Sequence, residues 1–429
     1  MDRRATPATQ DFIGKEARYG ARNYAPVHVV VDHAKDCYVW DVEGRQYIDM
    51  MSAYSAVSHG HLHPRLVAAA QQQLQKVAVT SRAYFGTTLG PFLEKLSQVT
   101  GFERALPMNT GAEAVETAIK CARRWGHRVK GIEDGRQEIL VARGNFHGRT
   151  STIISFSSED SYRDGFGPLA TGFVPFDFGD MDSIRKATTA STCAVLIEPI
   201  QGEAGVLVPP AGFFKELRDW CTANEILLID DEVQAGLGRT GKWFAFQHEG
   251  IRPDALILGK ALGGGLLPVS ALCADADVMD VFTPNSHGST FGGNALAAAV
   301  ALEGLKVLEE EKLVERCAEL GEHLFARLRE VQAEAGPLIR EVRGRGLWVG
   351  VDIDPRYATA RELVEALAAH GVLSKETHET VIRFAPPLTI TREIIDRAVD
   401  AFREVALAKA AELKGEGEAK GVPLAAVVD

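Results

Sequence analysis

The sequence predicts an α/β fold with a mostly parallel central sheet covered by helices on both faces. Short, almost continuous apolar runs recur through the first 300 residues, and amphipathic helical segments such as residues 211–224 separate them. Strands of a parallel sheet are buried on both faces, so they favour unbroken apolar runs over alternating ones. We predict strands at residues 138–142, 152–156, 194–200, 225–233 and 254–259.

From about residue 305 the pattern changes and predicts a smaller α+β domain. A long charged helix is followed by the alternating strand at 347–353, another helix, the strand at 381–385 and a last helix. The first residues predict a hairpin around Gly44. We therefore predict four regions: an N-terminal segment that joins the small domain (1–60), a large domain (61–305), the small domain (306–411) and a flexible tail (412–429).

Composition excludes several classes of function. The chain has 429 residues, and 47 Lys and Arg against 58 Asp and Glu give a net charge of −11 without any basic tract, which disfavours a nucleic-acid partner. The apolar runs are shorter than the roughly 18 residues that a membrane span requires. The N-terminus has no apolar leader, and the six cysteines are scattered without a C-x-x-C pair. These features predict a cytoplasmic protein with reduced thiols and no metal site.

Lys260 stands out because it interrupts the apolar run DALILGKALGG. A lysine there is either a surface residue with a buried stem or a nucleophile whose lowered pKa lets it form a Schiff base with a carbonyl. Asp231 and Gln234 follow the preceding strand, at the edge where open α/β sheets bind ligands. An acid so placed can cap a turn or pair with a protonated ring nitrogen, as pyridoxal phosphate requires.

A phosphate group would also need donors. Thr110 and Glu113 have the spacing of a capping box, and Gly111 and Ala112 leave the first N–H groups of the helix open. A second glycine-rich turn before a helix offers two hydroxyl groups, those of Ser289 and Thr290. Most capped helices bind nothing, so this pattern alone is weak evidence.

Together these segments resemble the class III, fold-type I pyridoxal-phosphate aminotransferases, and among them the members that act on ornithine. The matching segments are GARNYAPVHVV, SAYSAVSHGHLHP, LPMNTGAEAVETAIK, GNFHGRT, IEPIQGEAG, DDEVQAGLGRTGK, LGKALGGGLLPVSA, HGSTFGGN and VIRFAPPLTI. The resemblance implies pyridoxal 5′-phosphate as cofactor, attached to Lys260, with Asp231 at the ring nitrogen, Gln234 at the ring hydroxyl and Phe146 on the ring face.

The resemblance also assigns the remaining site residues. The phosphate would be held by the N-terminus of the helix at Thr110, Gly111 and Ala112, and by Ser289 and Thr290 of a neighbouring subunit, which implies a homodimer or a larger assembly of dimers. The implied substrates are ornithine and 2-oxoglutarate. Five residues are assigned to them: Tyr24 and Arg149 at the α-amino acid end of ornithine, Arg383 at the carboxylate of the keto acid, Glu203 as the partner of Arg383, and Tyr54 as the residue that separates ornithine enzymes from those acting on 4-aminobutyrate.

Some alternatives stay open. The segment GLGRTGK at 236–242 fits two nucleotide-binding patterns, although Trp243 stands where a P-loop needs Ser or Thr. His59, His61 and His63 alternate as metal ligands on one strand would, although Gly60 and Pro64 favour a turn. Within the family, acetylornithine, lysine at its ε-amine, or 4-aminobutyrate are rival donors, and racemases share the scaffold. Eukaryotic ornithine enzymes carry a tryptophan at the position of His147.

Overall fold

The computed structural model describes residues 6–420, and its centre is a seven-stranded sheet. The strands of this sheet are β4 (Arg104–Met108), β5 (Glu138–Ala142), β6 (Phe173–Phe176), β7 (Thr192–Ile197), β8 (Leu227–Asp231), β9 (Ala255–Leu258) and β10 (Ser270–Ala274). Their order is β4-β10-β9-β8-β7-β5-β6. The five strands from β9 to β6 run parallel, and β10 pairs antiparallel with both of its neighbours. The predicted α/β class is confirmed.

Helices cover both faces of this sheet. The helices of residues 6–420 are α1 (Pro7–Tyr19), α2 (Ser52–Ser55), α3 (Pro64–Leu74), α4 (Leu89–Thr100), α5 (Gly111–Arg128), α6 (Ser151–Ile154), α7 (Met181–Ala187), α8 (Phe213–Ala223), α9 (Ala276–Met279), α10 (Ala295–Glu310), α11 (Leu313–Ala335), α12 (Ala360–Ala369) and α13 (Arg392–Lys420). Ile229 of β8 packs in one apolar cluster with Ile119 of α5, whereas its neighbour Leu228 packs in another with Leu217 of α8. Successive strand residues point to opposite faces, so both faces are buried.

Two smaller sheets are formed by the N-terminal and C-terminal parts of the chain. Their strands are β1 (Val31–Lys35), β2 (Tyr38–Asp41), β3 (Gln46–Asp49), β11 (Ile339–Gly344), β12 (Val349–Ile353), β13 (Val372–Leu373), β14 (Lys375–Thr377) and β15 (Val381–Phe384). The first sheet has the order β1-β2-β3-β13, and the second has the order β11-β12-β15-β14. Because β13 pairs in parallel with β3, the N-terminal hairpin joins a sheet with the C-terminal region. The domain limits at residues 60, 305 and 411 stay a prediction.

The strand predicted at 152–156 is wrong. Residues 151–154 form the short helix α6, whose N-cap Thr150 accepts a hydrogen bond from the N–H of Ile153. An apolar run this short fits a buried strand and a buried helical turn equally well, and here the capping hydroxyl favours the helix. Strands β4, β6 and β10 were not predicted. Two of these, β4 and β6, are the edge strands of the sheet and contain Pro107 and Pro175, and proline is tolerated at a sheet edge but rarely inside a sheet.

Long helices dominate the C-terminal region. Helix α13 continues to Lys420, nine residues past the predicted end of the small domain at 411. The rest of the predicted tail, residues 421–429, lies outside the described residues. Within 6–420, no helix combines the length and the apolar character that crossing a bilayer would need.

Candidate active site

Lys260 lies just past the carboxyl end of β9, with its side chain half-buried. Its φ of +42° is in the left-handed region, which an L-residue keeps only where its surroundings hold it. Its Nζ donates a hydrogen bond to Oε1 of Gln234 over 3.2 Å. Burial lowers the pKa of Lys260, and the charge of Arg383 lowers it further, although nearby carboxylates oppose the shift. A lower pKa increases the fraction of free amine, which is the nucleophilic form.

Asp231 ends β8, the parallel neighbour of β9, so it shares the sheet edge with Lys260. Its Oδ1 accepts a hydrogen bond from the N–H of Val233 over 3.0 Å, and its Oδ2 lies 2.6 Å from Nδ1 of the buried His147. Burial alone would lower the pKa of His147, but the hydrogen bond and charge of Asp231 outweigh it and raise that pKa. The two contacts fix the orientation of the Asp231 carboxylate.

A cavity of about 190 Å³ joins these residues at the carboxyl edge of the sheet. Its lining consists of Gly111, Ala112, Phe146, His147, Gly148, Glu198, Ile200, Asp231, Val233, Gln234, Ala235 and Lys260. The structure thus brings together six of the residues that the sequence predicted for cofactor binding. One end of the cavity is closed by the N-terminus of α5, and Phe146 forms part of a wall.

The N-terminus of α5 leaves donors at the cavity. Thr110 Oγ1 accepts a hydrogen bond from the N–H of Glu113 over 3.3 Å, and Glu113 Oε2 accepts one from the N–H of Thr110 over 2.7 Å, as the predicted capping box requires. Within residues 6–420, no group accepts a hydrogen bond from the N–H groups of Gly111 and Ala112. A Cβ on Gly111 would lie 3.0 Å from Cγ1 of Val233, so glycine keeps this approach open. The helix therefore offers two free donors and its positive dipole end.

Arg149 stands beside Phe146, outside the buried part of the cavity. Its side chain is exposed, and its guanidinium lies 4.4 Å above the ring of Tyr162 and 5.7 Å from that of Phe146. Its Nη2 also donates to the Tyr162 hydroxyl over 3.1 Å. These contacts hold the Arg149 guanidinium in place beside Phe146.

Arg383 and Glu203 form a partly buried ion pair near Lys260. Nη1 of Arg383 lies 2.5 Å from Oε1 of Glu203, and Arg383 is only 3% exposed. The ring of Tyr54 covers the guanidinium, with 4.7 Å between the ring centroid and Cζ. Burial raises the pKa of Tyr54, against the opposing charge of Arg383. The predicted contact between Glu203 and Arg383 is therefore present, and the Tyr54 ring packs against the Arg383 side of the pair.

Three further predicted residues, Tyr24, Ser289 and Thr290, also lie outside the cavity lining of their own chain. Tyr24 is 73% exposed, and its charge contributes to raising the pKa of Tyr54. Thr290 is exposed. Ser289 Oγ accepts hydrogen bonds from the N–H of Gly292 over 3.0 Å and from Nδ2 of Asn109 over 3.1 Å, next to the start of α5.

The sequence predicts no role for two titratable residues of the cavity lining, His147 and Glu198. His147 stands where eukaryotic relatives that act on ornithine carry a tryptophan. Glu198 Oε2 accepts a hydrogen bond from the N–H of Phe146 over 2.9 Å, and burial raises the pKa of Glu198 to about 7. A carboxyl within the apolar run AVLIEPI is the signal that could have found it, because isolated buried carboxyls are costly.

The glycine-rich segment 236–241 is not placed to bind a phosphate. All six residues are buried, and the next element is a 3₁₀ turn at Ala245–His248 instead of the helix that a P-loop requires. A Cβ on Gly241 would lie 2.9 Å from Cα of Ala318, so this glycine serves the packing against α11.

The three alternating histidines have separate partners. His59 Nε2 lies 3.0 Å from the Gly304 carbonyl oxygen, and His61 Nε2 lies 2.7 Å from Oδ2 of Asp49. Nε2 of His63 lies 3.3 Å from the Glu311 carboxylate. In the described part of the chain, no group of three or more His, Cys, Asp and Glu side chains is placed to hold a metal ion.

Comparison with known proteins identifies the family. The model of the family described as aminotransferase class-III matches residues 19–406. The chain belongs to this family. It is 52% identical to an ornithine aminotransferase of Halalkalibacterium halodurans, over 92% of this chain and 97% of that protein.

Solved structures agree with this assignment. An ornithine aminotransferase from Toxoplasma gondii superposes with a TM-score of 0.93 at 41% identity, covering 94% of this chain and 95% of the other. An acetylornithine aminotransferase from Elizabethkingia anophelis superposes with a TM-score of 0.85 at 42% identity, covering 93% and 99%. The predicted fold type, with its large parallel-rich sheet, is therefore confirmed.

This class III enzyme is a pyridoxal-phosphate-dependent aminotransferase, and its cavity fits that cofactor. Lys260 offers an amine of lowered pKa, and Asp231 offers a fixed, buried carboxylate, which is the kind of group that a protonated ring nitrogen requires. The free N–H groups of Gly111 and Ala112 suit a phosphate. The T. gondii structure contains this cofactor at its active site in partial occupancy.

Proposed function

We propose that this aminotransferase transfers the δ-amino group of L-ornithine to 2-oxoglutarate. The products are glutamate and glutamate 5-semialdehyde, which cyclises to pyrroline-5-carboxylate. The observation that carries the proposal is the Arg383 guanidinium, paired with Glu203 and covered by Tyr54 beside Lys260. The names of the relatives in H. halodurans and Bacillus subtilis, 52% and 50% identical, support the same donor.

The two substrates place their charges differently around the reacting carbon. Ornithine reacts at its distal amine, so its carboxylate lies far from that carbon, whereas 2-oxoglutarate has a carboxylate next to its keto group. We propose that Arg383 binds this carboxylate and that Glu203 occupies Arg383 while ornithine is bound. The exchange keeps the buried guanidinium paired in both half-reactions.

The other end of ornithine requires recognition at the entrance. We propose that Arg149 binds its α-carboxylate and that Tyr24 and Tyr54 contact the α-amino acid group. The rings of Phe146 and Tyr162 hold the Arg149 guanidinium in place. Arg149 and Arg383 would thus serve carboxylates at opposite ends of the substrates.

Pyridoxal phosphate supplies an electron sink that makes a proton on the amine-bearing carbon removable. We propose that Asp231 pairs with its ring nitrogen, Gln234 with its ring hydroxyl, Phe146 with its ring face and the α5 N-terminus, from Thr110 to Ala112, with its phosphate. Lys260 would hold the cofactor between turnovers. With ornithine bound, Lys260 Nζ would act as the base that takes the proton from its δ-carbon and then as the acid that gives the proton back.

We propose that the enzyme is a homodimer in which Ser289 and Thr290 complete the phosphate site of the neighbouring subunit. Large exposed aromatic side chains near this region support an interface: Tyr84, Phe85 and Phe291. Co-expression of Lys260→Ala with Thr290→Asp chains tests the shared site. One site of each mixed dimer would carry both intact residues, so activity should reappear; if it stays absent, the phosphate site is not shared.

We also propose a cytoplasmic location. The six cysteines are buried and unpaired, as expected of a protein kept in a reducing compartment. Fractionation with an antibody against the chain tests this, and recovery from a secreted or membrane fraction would contradict it.

Amino-donor turnover with 2-oxoglutarate tests the reaction. Ornithine should exceed N-acetylornithine, lysine and 4-aminobutyrate in kcat/KM by at least about tenfold, because one lost charged contact has that effect. Racemisation of a single amino acid should be undetectable. A higher kcat/KM for N-acetylornithine would assign the enzyme to that donor.

A further inference from the structure

The turn α2, which carries Tyr54, has a backbone conformation that its own sequence does not favour. Its four residues all have positive φ values: Ser52 +45°, Ala53 +47°, Tyr54 +59° and Ser55 +71°. L-residues enter this region mostly singly, and glycine or asparagine is usual there because Cβ crowds the following carbonyl oxygen. The turn contains neither residue, so contacts from elsewhere in the chain must hold it.

One group of contacts comes from the segment that follows β15. The N–H of Ala385 donates to the Met50 carbonyl over 2.7 Å, and Ser52 Oγ donates to the Ala385 carbonyl over 2.6 Å. The N–H of Leu388 donates to the Ser58 carbonyl over 2.8 Å. The two ends of the left-handed turn are therefore bound to the same short segment.

A second group of contacts comes from Arg239, inside the buried glycine-rich segment 236–241. The side chain is fully buried, and its Nη1 donates to the carbonyls of Leu347 over 2.9 Å and Pro386 over 2.6 Å. Its Nη2 donates to Oγ of Ser58 over 3.0 Å and Oγ of Ser52 over 3.3 Å. Burial lowers the pKa of Arg239 to about 10, so the group stays charged at neutral pH.

These contacts connect the two members of one substrate-recognition pair. Ser52 lies two residues before Tyr54, and Pro386 lies three residues after Arg383. One guanidinium therefore binds the segments that carry both the Tyr54 ring and the Arg383 cation, which lie 4.7 Å apart. A charged donor bound only to neutral acceptors is costly to bury, and a role in fixing this geometry explains why it is kept.

We propose that Arg239 is a positioning residue for donor selection. It holds the left-handed turn so that Tyr54 keeps Arg383 against Glu203 while ornithine is bound. The inference rests on the proposed function, because the Tyr54 and Arg383 geometry that Arg239 holds is the one proposed to distinguish ornithine from glutamate. Without the turn, Arg383 is free to bind the α-carboxylate of glutamate, and the ornithine half-reaction loses Tyr54.

Ser58→Ala is the best variant for a test. Replacing Arg239 itself would leave four buried acceptors unpaired and endanger folding. Ser58→Ala removes one acceptor of Arg239 together with the hydrogen bond from Ser58 Oγ to the Ser55 carbonyl over 3.0 Å. Ser97→Ala is the matched control, since Ser97 Oγ also donates to a carbonyl, that of Phe102, over 2.6 Å, but in α4.

Each half-reaction is measured in a single turnover, by the absorbance change of the bound cofactor with one amino donor and no keto acid. We expect Ser58→Ala to lower the ratio of the ornithine rate constant to the glutamate rate constant about tenfold, as the loss of one charge-assisted hydrogen bond predicts. Ser97→Ala should leave the ratio unchanged. Hydrogen exchange of the peptide at 50–60 in the cofactor-free protein should become faster in Ser58→Ala only.

A second substitution should restore the ratio. Ala53 is exposed and has a φ of +47°, so Ala53→Gly removes the Cβ penalty of the left-handed turn without removing a packed side chain. In the double variant with Ser58→Ala, the ratio should return towards the wild-type value. A purely structural defect would not be corrected in this way.

The proposal is overturned if Ser58→Ala leaves the ratio unchanged, or if both rate constants fall by the same factor as thermal stability decreases. It is also overturned if Ala53→Gly fails to restore the ratio. Failure of the proposed function looks different, because wild-type enzyme would then show no ornithine half-reaction at all.

Discussion

Two regions meet around Lys260, and they are built in different ways. At the sheet edge, Lys260 and its partner Gln234 are 26 residues apart and follow neighbouring parallel strands. On the other side of the substrate space, Arg383 and Glu203 are 180 residues apart, and the turn that carries Tyr54 is held by contacts from two further segments. The chemistry of the site is local in the chain, whereas its substrate recognition is assembled over long range.

This difference has a physical cause. The carboxyl ends of parallel strands meet by the rules of sheet topology, so the amine and the acid are brought together by the fold itself. Recognition of a second carboxylate requires a buried cation, and a buried cation needs several acceptors that no single segment can supply. Changes at the sheet edge should therefore affect both half-reactions, and changes at the turn should affect their ratio.

Lys260→Ala should have the largest effect and should affect both half-reactions alike. Removing the amine that moves the proton should slow each by about 10²- to 10⁴-fold or more, measured by single-turnover absorbance. Lys242→Ala is the control, because Lys242 is exposed at the end of the glycine-rich segment. A Lys260→Ala enzyme that keeps a tenth of the wild-type rate would remove this lysine from its role.

Asp231→Asn should have the next largest effect. The amide keeps the shape of the side chain but loses the charge that stabilises a protonated ring nitrogen, so both half-reactions should slow by about 10²- to 10³-fold. The cofactor absorbance maximum should also shift, since the ring nitrogen loses its anionic partner. Unequal losses in the two half-reactions would contradict a role in the shared chemistry.

Glu203→Gln should change the two half-reactions in opposite directions. Without its carboxylate, Arg383 is left as an unneutralised cation beside bound ornithine but is more available to glutamate. The ratio of ornithine to glutamate rate constants should fall by about 10- to 100-fold, as the loss of one charged hydrogen bond predicts. Equal changes in both rates would place Glu203 in a purely structural role.

Glu198→Gln should have the smallest effect. It should change the pH dependence of the free energy of unfolding and leave the ratio of the two half-reaction rates unchanged. Burial raises the pKa of Glu198 to about 7, so the folded chain binds a proton that the unfolded chain releases above its ordinary value of 4.5. The stability that this bound proton contributes is fully present below pH 4.5 and is lost as the pH rises through about 7. The pKa shift corresponds to a loss of about 3 kcal/mol in the free energy of unfolding.

Thermal unfolding of the cofactor-free protein at pH 5.5 and 7.5 measures this effect. The wild type should lose more stability between the two pH values than Glu198→Gln. Burial also raises the pKa of Glu232 to about 7, so the variant should still lose some stability between the two pH values. Identical slopes in both proteins would show that Glu198 does not titrate in this window.

The sequence predicted the sheet edge well because its signals are local. The strand at 138–142 and the capping box at Thr110 lie where the sequence predicts them, β9 ends one residue before its predicted end at 259, and β8 ends at Asp231, two residues before its predicted end at 233. Such features depend on apolar runs and short-range hydrogen bonds, which single segments encode.

The substrate-recognition side could not be predicted, because its conformation depends on contacts between segments that are far apart in the chain. Nothing in SAYS favours a left-handed turn, since its conformation is imposed by Arg239 and by the segment after β15. Arg239 itself lay within an apparent nucleotide motif. The contact between His147 and Asp231 joins residues 84 apart in the chain, and only the folded sheet shows it.

The most direct test of the division between chemistry and recognition is the pair of half-reactions in Tyr54→Leu, measured beside borohydride trapping of the cofactor on Lys260. The account predicts that trapping on Lys260 stays complete, that the ornithine rate constant falls, and that the glutamate rate constant does not. Equal falls in both rate constants, or loss of trapping on Lys260, would contradict it.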